Sequence, residues 1–291
     1  MSKYNKWSKI VNGMELIVLK NEKMEATLCD VGASIFRLLY NKQDMLVSPS
    51  TLEDFSKKEL YFGKTIGRIC GRVKNEKGQI VLHGGKNGLS NQKFDYIKED
   101  NKVTFTYLSK GDESSLKGEA RIKVTYTLLN NELRIDLEAS SLERPVISLT
   151  NHSYFCLGES NHSGLTLQMD SDRYFVYDET LFPVGTDDIS KKYNFKEEDP
   201  VMKYGEIDTY FTLNKGLVTL KSKKYQLEVL TDYEGTVVYT DNFEDNAKTF
   251  ASEQHKYRGV AIEPQCDSFN RKPLEPGKPL KRFITYRFKT L

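Results

Sequence analysis

The sequence predicts an all-β fold, a large sandwich of antiparallel strands. Apolar and polar residues alternate with the period of a strand in several segments, and turn residues join some of these segments into hairpins. Helical periodicity of useful length is absent. With 291 residues, 38% of them hydrophobic and 29% charged, the chain can form one large all-β domain or two smaller ones.

The first strands are expected between residues 14 and 40, where apolar residues alternate with polar ones. Gly32 interrupts this region and predicts a turn or a bulge. Residues 51–60 are typical of a loop or of a single helical turn.

A glycine repeat follows, with Gly63, Gly67 and Gly71 spaced four residues apart and Arg68 and Arg72 beside the last two. Glycine at such spacing indicates a backbone that bends sharply or approaches another group closely. The pattern of a phosphate-binding loop is absent, so this segment does not predict nucleotide binding.

The clearest strand pattern covers residues 102–140. Alternating segments at 103–107 and 122–128 are followed by Asn130 and Asn131, which predict a hairpin turn into the next strand. Further strands are expected at 217–220, 225–229, 235–239 and 283–288. The order of these segments favours a sandwich without repeats, linkers or low-complexity regions.

Charge and apolar content exclude several classes of partner. Lys and Arg number 43 against 41 Asp and Glu, and no dense basic stripe is present, so we expect no nucleic-acid partner. No run of 18 apolar residues is present and the first residues offer no signal peptide, so we expect no membrane association. Four widely spaced cysteines lack metal-site spacing and predict reduced thiols in a cytoplasmic protein: Cys29, Cys70, Cys156 and Cys266.

Two histidines are candidates for function. His152 follows the apolar, β-branched run 146–150, which predicts a buried strand, and a fixed imidazole at its end can exchange protons near neutral pH. A hydrogen-bonded structural histidine is the alternative. His83 lies at the edge of a glycine-rich loop, which either presents it to a ligand or simply forms a turn.

Two carboxylates complete the set of candidates. Glu263 is expected to end an apolar strand, because Pro264 cannot continue a central ladder. Partial burial there would raise the pKa of Glu263 toward that of a useful base, whereas a solvated edge glutamate is the alternative. Asp208 precedes a predicted strand, and taken alone this position favours a turn aspartate.

Taken together, seven segments in order along the chain resemble the aldose 1-epimerase (galactose mutarotase) family. The matching segments are GRICGRV at 67–73, LHGG at 82–85, TNHSYFCL at 150–157, DRYFVYDETLFPVG at 172–185, IDTYFTL at 207–213, EGTVVYTDNF at 234–243 and AIEPQCDSFN at 261–270. The resemblance implies a single β-sandwich domain of the galactose mutarotase-like type over residues 1–291, with a sugar in an open groove across one sheet.

The resemblance also implies roles for individual residues. His152 corresponds to the general acid of the family and Glu263 to its general base. Gln265, just beyond the base, is a further candidate for the groove. Three more residues fall on sugar-contacting positions: Arg72, His83 and Asp208.

The residue types suit the implied chemistry. Interconverting α and β anomers requires one base for the C1 hydroxyl proton and one acid for the ring oxygen, which we expect on opposite sides of the sugar. A carboxylate and an imidazolium can do this near pH 7, whereas two carboxylates would suit glycoside hydrolysis. We therefore expect a small-molecule sugar substrate such as galactose or glucose and no metal or other cofactor, in a monomer or a homodimer.

Departures from the family pattern leave the sugar open. The segment between Arg72 and His83 is shorter than usual, which predicts a trimmed hairpin and a more open groove. Four residues differ from common family choices: Gly71, Phe94, Cys156 and Tyr210. A sugar-binding module without turnover, or an epimerase of a disaccharide or a sugar phosphate, are the alternatives.

Overall fold

A computed structural model describes residues 8–11, 13–74, 78–111 and 117–291 of the chain. Strands dominate this part of the molecule, and its one α-helix, α1 (Leu52–Phe55), is a single turn. Short 3-10 segments cover Gly85–Asn87, Leu89–Asn91, His162–Gly164, Ile189–Lys191 and Val201–Tyr204. Within the described ranges, no helix has the length and apolar character needed to cross a membrane.

The strands of the N-terminal half are β1 (Ser8–Val11), β2 (Met14–Lys20), β3 (Met24–Cys29), β4 (Ser34–Tyr40), β5 (Gln43–Asp44), β6 (Thr65–Ile66), β7 (Arg72–Lys74), β8 (Ile80–Leu82), β9 (Asp95–Lys98), β10 (Lys102–Ser109), β11 (Ala120–Leu129) and β12 (Glu132–Ser140). Those of the C-terminal half are β13 (Thr150–Asn151), β14 (Tyr154–Phe155), β15 (Thr166–Met169), β16 (Arg173–Tyr177), β17 (Pro183–Asp188), β18 (Asp199–Pro200), β19 (Asp208–Thr212), β20 (Leu217–Lys221), β21 (Tyr225–Thr231), β22 (Gly235–Tyr239), β23 (Val260–Pro264) and β24 (Leu280–Thr290).

Three antiparallel sheets organise these strands. A nine-stranded sheet has the order β18-β15-β20-β21-β24-β12-β11-β10-β9, and a six-stranded sheet has the order β14-β23-β22-β19-β16-β17. A five-stranded sheet is a meander of β1 to β5 in chain order. Two short pairs, β6 with β13 and β7 with β8, connect the sheets near the site described below.

The main core lies between the nine-stranded sheet and the other two sheets. Every second residue of β11, from Ala120 to Leu128, is buried, while the intervening residues are partly or fully exposed. This period-two pattern places one face of the sheet on the core and the other in solvent. Residues of all three large sheets share the buried cluster, for example Leu28, Phe211 and Ile262.

The six-stranded sheet differs because residues on both of its faces are buried. In β23 all five residues are buried, with Val260 and Ile262 in the main core. Since side chains alternate along a strand, Ala261 and Glu263 point to the other face. In β22 the same alternation sends Val238 into the core. The outer face of this sheet is therefore the one that carries the candidate carboxylate.

Most expected elements are confirmed. The strands within 14–40, the central hairpin at Asn130 and Asn131, and the segment 235–239 form as expected, and Gly32 lies in a turn with φ of 69°. The single helical turn expected within 51–60 is α1. The all-β, antiparallel sandwich predicted from the sequence is the observed fold.

Two local expectations are wrong. The run 146–150 is buried, but its regular strand is only the pair Thr150–Asn151, because Ser148 N–H donates to the carbonyl of Arg68 outside any sheet. The strand β23 is also expected to end at Glu263, but Pro264 belongs to it. Pro264 is the last residue of β23 and pairs with Thr236 on β22. Its missing N–H is tolerated since the neighbour on the other side, β14, pairs only with Val260 and Ala261.

Candidate active site

A cavity of about 370 Å³ opens on the outer face of the six-stranded sheet. Its volume lies within the range typical of small-molecule sites. Alternate residues of β19, β22 and β23 form its floor, and loops before β6, after β16 and after β22 surround it. All six residues singled out from the sequence line this one cavity: Arg72, His83, His152, Asp208, Glu263 and Gln265.

Strand register fixes the floor of the cavity. Asp208 on β19 pairs with Tyr239 on β22, and Val237 on β22 pairs with Glu263 on β23. Paired residues of adjacent strands project side by side from the same face. Two carboxylates more than fifty residues apart in the sequence are thereby brought to neighbouring positions on one surface.

His152 is positioned by the residue before it. Asn151 is fully buried, and its amide donates to the Gly63 carbonyl at 2.9 Å and to the Tyr126 hydroxyl at 3.2 Å. Its side-chain oxygen accepts from Ser153 at 2.6 Å and from Tyr286 at 3.2 Å. Because all of these hydrogen bonds are made, the Asn151 side chain is held in one orientation. It thereby sets the direction in which the chain presents His152.

Glycine is required where the chain passes this histidine. Gly63 has φ of 65°, and a Cβ atom there would lie 2.0 Å from the carbonyl oxygen of Ile35. The Gly63 N–H donates to the carbonyl of His152 at 2.9 Å. The close approach expected from the glycine repeat is therefore observed at Gly63, which is bonded to the backbone of His152.

His152 and Glu263 contact each other. Nε2 of His152 lies 3.2 Å from Oε1 of Glu263, and both side chains are buried. Nδ1 of His152, Oε2 of Glu263 and Oε1 of Gln265 have no hydrogen-bond partner among the described residues. Buried polar atoms are normally hydrogen-bonded, so these atoms at the cavity are available to a polar ligand or to water. The acid and base expected on opposite sides of a sugar are adjacent in this structure.

Burial opposes charge on both members of this pair. It lowers the pKa of His152 to about 3. It raises the pKa of Glu263 well above the ordinary value, and the negative charge of Asp208 adds to this effect. The 3.2 Å contact alone would suit an ion pair, but desolvation of two buried groups outweighs it here. In the ligand-free site, burial therefore favours the uncharged forms of the pair, with one proton on Glu263 beside a neutral imidazole.

His83 is held as a neutral donor. The backbone N–H of Gly71 donates to its Nδ1 at 3.1 Å, so the imidazole carries its proton on Nε2. Burial lowers the pKa of His83 well below its ordinary value, and the neighbouring His152, Arg72 and Arg271 lower it further. The ring stands edge-on to that of His152, with centroids 5.3 Å apart.

The same tautomer bears on metal binding. Donor atoms of His83, His152 and Glu263 lie within 4.8 Å of one another, the one such group of three among the described residues. A proton on Nε2 of His83 leaves no lone pair there for a metal ion. The group is therefore better suited to hydrogen bonds with a hydroxylated ligand than to holding a metal.

Arg72 and Asp208 form a second polar pair in the cavity. Their closest atoms, Nη2 and Oδ2, are 3.6 Å apart, and both side chains are mostly buried. Burial raises the pKa of Asp208, while the Arg72 guanidinium opposes this shift. A separation this long leaves donors and acceptors of both groups for a ligand.

The cavity also has an aromatic wall, of which sequence reasoning found only Tyr154, as a support of His152. Aromatic rings surround His152: Tyr61 and Tyr154 stack on it with centroids at 5.7 Å and 4.9 Å, and Tyr239 meets it edge-on. Phe243 stands at the cavity edge, 61% exposed, and stacks on Tyr239. Tyr154, Tyr239 and Phe243 lie in segments that resemble the family, which is a signal for them in the sequence. The periodicity of the sequence, however, does not distinguish an aromatic cavity wall from a core.

Arg258 holds the loop after β22. It is fully buried and pairs with Asp241 at 2.7 Å and with Asp245 at 2.6 Å. Phe243 and Glu244, which line the cavity, lie between these two aspartates. The arginine thus fixes both ends of the loop segment that carries them.

The departures from the family pattern differ in importance. Phe94 packs in the main core and Cys156 is buried with its thiol near the Asp44 carbonyl, so neither touches the cavity. Tyr210 does line the cavity, beside Asp208 on the same face of β19. The β7–β8 pair forms the expected hairpin, whose tip at 75–77 lies outside the described residues.

Comparison with known proteins places this geometry in context. The model of the aldose 1-epimerase family matches residues 15–287. The galactose mutarotase of Rattus norvegicus is 27% identical over 323 aligned positions, covering 94% of each chain. The aldose 1-epimerase of Haemophilus influenzae is 25% identical, covering 87% of this chain and 86% of that protein.

Solved structures show the same fold. The GalM/aldose epimerase homologue from C. elegans is 26% identical with a TM-score of 0.86, covering 95% of this chain and 99% of that one. Galactose 1-epimerase from Lactobacillus acidophilus is 25% identical with a TM-score of 0.86 and 97% coverage of both chains. The chain belongs to the aldose 1-epimerase family, a family of isomerases that act on carbohydrates.

Proposed function

We propose that this protein interconverts the α and β anomers of a free hexose such as galactose or glucose. The observation that carries the proposal is the contact between Nε2 of His152 and Oε1 of Glu263, 3.2 Å apart in the wall of a cavity with unpartnered polar atoms. The C1 hydroxyl oxygen and the ring oxygen of an aldose are bonded to the same carbon. An acid and a base as close together as these two side chains can therefore reach both oxygens at once.

The proton balance follows from this pair. Glu263, as a carboxylate, takes the proton of the C1 hydroxyl, and His152, as an imidazolium, gives one to the ring oxygen. The ring opens to an aldehyde, C1 turns about the C1–C2 bond, and the reverse transfers close the ring on the other face. The pair holds one proton before and after the reaction, and no co-reactant is consumed.

A bound sugar provides the hydrogen-bond partners that the polar atoms of the free site lack. Its hydroxyl groups provide partners for Oε2 of Glu263 and Nδ1 of His152, and such hydrogen bonds favour the charged forms of both groups. The single proton of the pair then moves from Glu263 to His152 across the 3.2 Å contact. Binding of substrate thus prepares the acid and the base together.

The remaining polar residues would bind the sugar. The Nε2–H of His83 donates toward the ring oxygen or a neighbouring hydroxyl, and Arg72 with Asp208 offers donors and acceptors to vicinal hydroxyls. Gln265 Oε1 accepts from another hydroxyl. Aromatic rings such as Tyr61 and Tyr239 cover the apolar faces of the sugar ring.

Charge in the cavity favours an uncharged sugar over a sugar phosphate. Basic residues in the lining are Arg72 and Arg271, whereas the acidic ones are Glu59, Asp208, Asp241, Glu244, Asp245 and Glu263. Arg258 compensates two of these acids. A phosphate would meet repulsion from Glu59 and Glu244. We further propose a cytoplasmic protein, in keeping with the four free cysteine thiols.

Polarimetry tests the proposal. Freshly dissolved α-galactose and α-glucose are mixed with the protein, and faster approach to the anomeric equilibrium is expected for at least one of them. A panel of other aldoses and reducing disaccharides extends the search for the preferred sugar. Saturable sugar binding without acceleration of any of them would identify a binding module and reject the epimerase.

A further inference from the structure

Arg271 lines the cavity but belongs to none of the polar pairs that would hold or transform the sugar. Its Nη2 donates to the carbonyl oxygen of Cys70 at 2.5 Å. The N–H of the same peptide unit, that of Gly71, donates to Nδ1 of His83 at 3.1 Å. One amide group therefore accepts a hydrogen bond from a cation at its oxygen. The same group donates a hydrogen bond from its N–H to a candidate sugar-binding imidazole.

We propose that Arg271 is a positioning residue that acts through the Cys70–Gly71 peptide to fix His83 as a neutral Nε2–H donor toward the sugar. A guanidinium on the carbonyl polarises the amide and strengthens its N–H as a donor, since linked hydrogen bonds reinforce one another. A stronger donor at Nδ1 stabilises the tautomer whose proton is on Nε2. The inference rests on the proposed function, since it deepens the role of His83 there.

The local backbone is built for this contact. His83 N–H donates in return to the carbonyl of Gly71 at 2.9 Å, so the two residues are joined by two hydrogen bonds. Gly71 has φ of 69°, and a Cβ atom there would lie 3.7 Å from Nη2 of Arg271. A side chain that extended further toward Arg271 would compete with the guanidinium for this space.

Electrostatics act in the same direction. The charged and titratable groups that face His83 are Arg72, Arg271 and His152, and each disfavours a proton on its second nitrogen. The Tyr61 ring packs against the imidazole with centroids 4.8 Å apart. His83 therefore stays a donor of one hydrogen bond and does not compete with His152 as the acid.

Nitrogen-15 NMR of labelled histidine tests the link without reference to activity. The chain has only four histidines, so His83 can be assigned by its loss in His83→Gln. In the wild type, Nε2 of His83 should be protonated and Nδ1 unprotonated throughout the neutral range. Arg271→Gln should introduce the other tautomer or a titration into that range, and Arg271→Lys, which keeps a cationic donor, should restore the wild-type spectrum.

Kinetics supply the second readout. Arg271→Gln should lower kcat about tenfold, the loss expected for one charge-assisted hydrogen bond, with a smaller effect on KM. Arg282→Gln is the matched control, because this arginine donates to the Asp232 carbonyl outside the cavity. It should change neither readout.

The outcomes separate the two proposals. A wild-type His83 protonated on Nδ1, or nitrogen shifts in Arg271→Gln equal to those of the wild type, would overturn the role of Arg271. If Arg271→Gln does not fold, the wild-type spectrum and Arg271→Lys still decide. If no aldose is turned over, the epimerase proposal fails while the nitrogen spectra continue to test the link.

Discussion

At the scale of single residues, the site depends on how burial changes two side chains. His152 and Glu263 lie in contact and are buried, and burial favours the neutral form of each. Burial raises the pKa of Glu263 above that of a solvated glutamate and so favours a proton on this carboxyl, within reach of an imidazole. The environment thus assembles an acid–base pair from residues that are ordinary in sequence.

Removal of either partner should nearly abolish turnover. We expect His152→Gln and Glu263→Gln each to lower the rate of mutarotation on the order of 10²-fold or more, since each removes one proton-transfer group. Polarimetry with the preferred aldose measures this. The exposed His255, outside the cavity, provides the control His255→Gln, which should keep full activity. Full activity in Glu263→Gln would require a different base.

The pKa of Glu263 also predicts how stability depends on pH. The folded protein holds this proton more tightly than the unfolded chain, whose glutamates have the ordinary pKa of 4.5. The contribution of this group to stability is therefore complete below that value and is lost as the pH rises through the raised, folded-state pKa. Glu263→Gln removes this loss.

Urea denaturation at about pH 5 and pH 8 measures the effect: the free energy of unfolding should fall more between these two pH values in the wild type than in Glu263→Gln. Glu198→Gln is the control. Hydrogen bonds from Lys221 and Thr166 lower the pKa of Glu198, so its contribution is lost only toward lower pH. An identical pH response in wild type and Glu263→Gln would contradict the buried, protonated carboxyl.

At the scale of elements, the cavity owes its floor to strands and its edges to loops. Asp208, Val237, Tyr239 and Glu263 project from one face because of strand alternation and register. The loop after β22 has no such ladder, and the buried Arg258 with its two aspartates takes that role. A charged residue in a buried position here replaces missing secondary structure.

Arg258→Met should therefore be strongly destabilising. It leaves the buried Asp241 without its partner, which typically costs about 3–5 kcal/mol. Urea denaturation gives the free energy of unfolding, with Lys20→Met as the control, since the Lys20–Glu25 pair is exposed and worth about 1 kcal/mol at most. A similar loss in both variants would show that the network does not hold the loop.

At the scale of the whole molecule, regular alternation made most of the fold predictable. Strands with one solvated face, such as β11 and β12, can be predicted because polar and apolar residues alternate along them. The bounds of β13 and the strand β14 escaped prediction because both strands are fully buried and only two residues long. Tertiary packing, not local pattern, decides such segments.

The candidate site was predictable to a similar degree. The six residues chosen from motifs line one cavity, although their roles stay predictions. Arg271 and Arg258 were missed because their functions depend on distant partners: the Cys70 carbonyl and the pair Asp241 and Asp245. Such contacts have no local signature in sequence. The tautomer of His83 and the contact between acid and base likewise follow only from three-dimensional geometry.

The two layers of the sandwich meet at the residue before the candidate acid. Asn151 bonds to Tyr126 on β11 and Tyr286 on β24, both in the nine-stranded sheet, and to Gly63 beside the cavity. The main sheet thus supports the site through two buried hydroxyl groups. Loss of this amide should affect stability and activity together, because the same bonds hold the core and orient His152.

Asn151→Ala leaves these buried hydroxyl and carbonyl groups without their partner, and each such group costs about 1–3 kcal/mol. We therefore expect a loss of about 3 kcal/mol or more in the free energy of unfolding, measured with urea, and a lower kcat in the folded fraction. Asn214→Ala is the control, because this amide bonds to Asp170 and Asp172 at the surface. Equal losses in both variants would show that the nine-stranded sheet does not position His152 through Asn151.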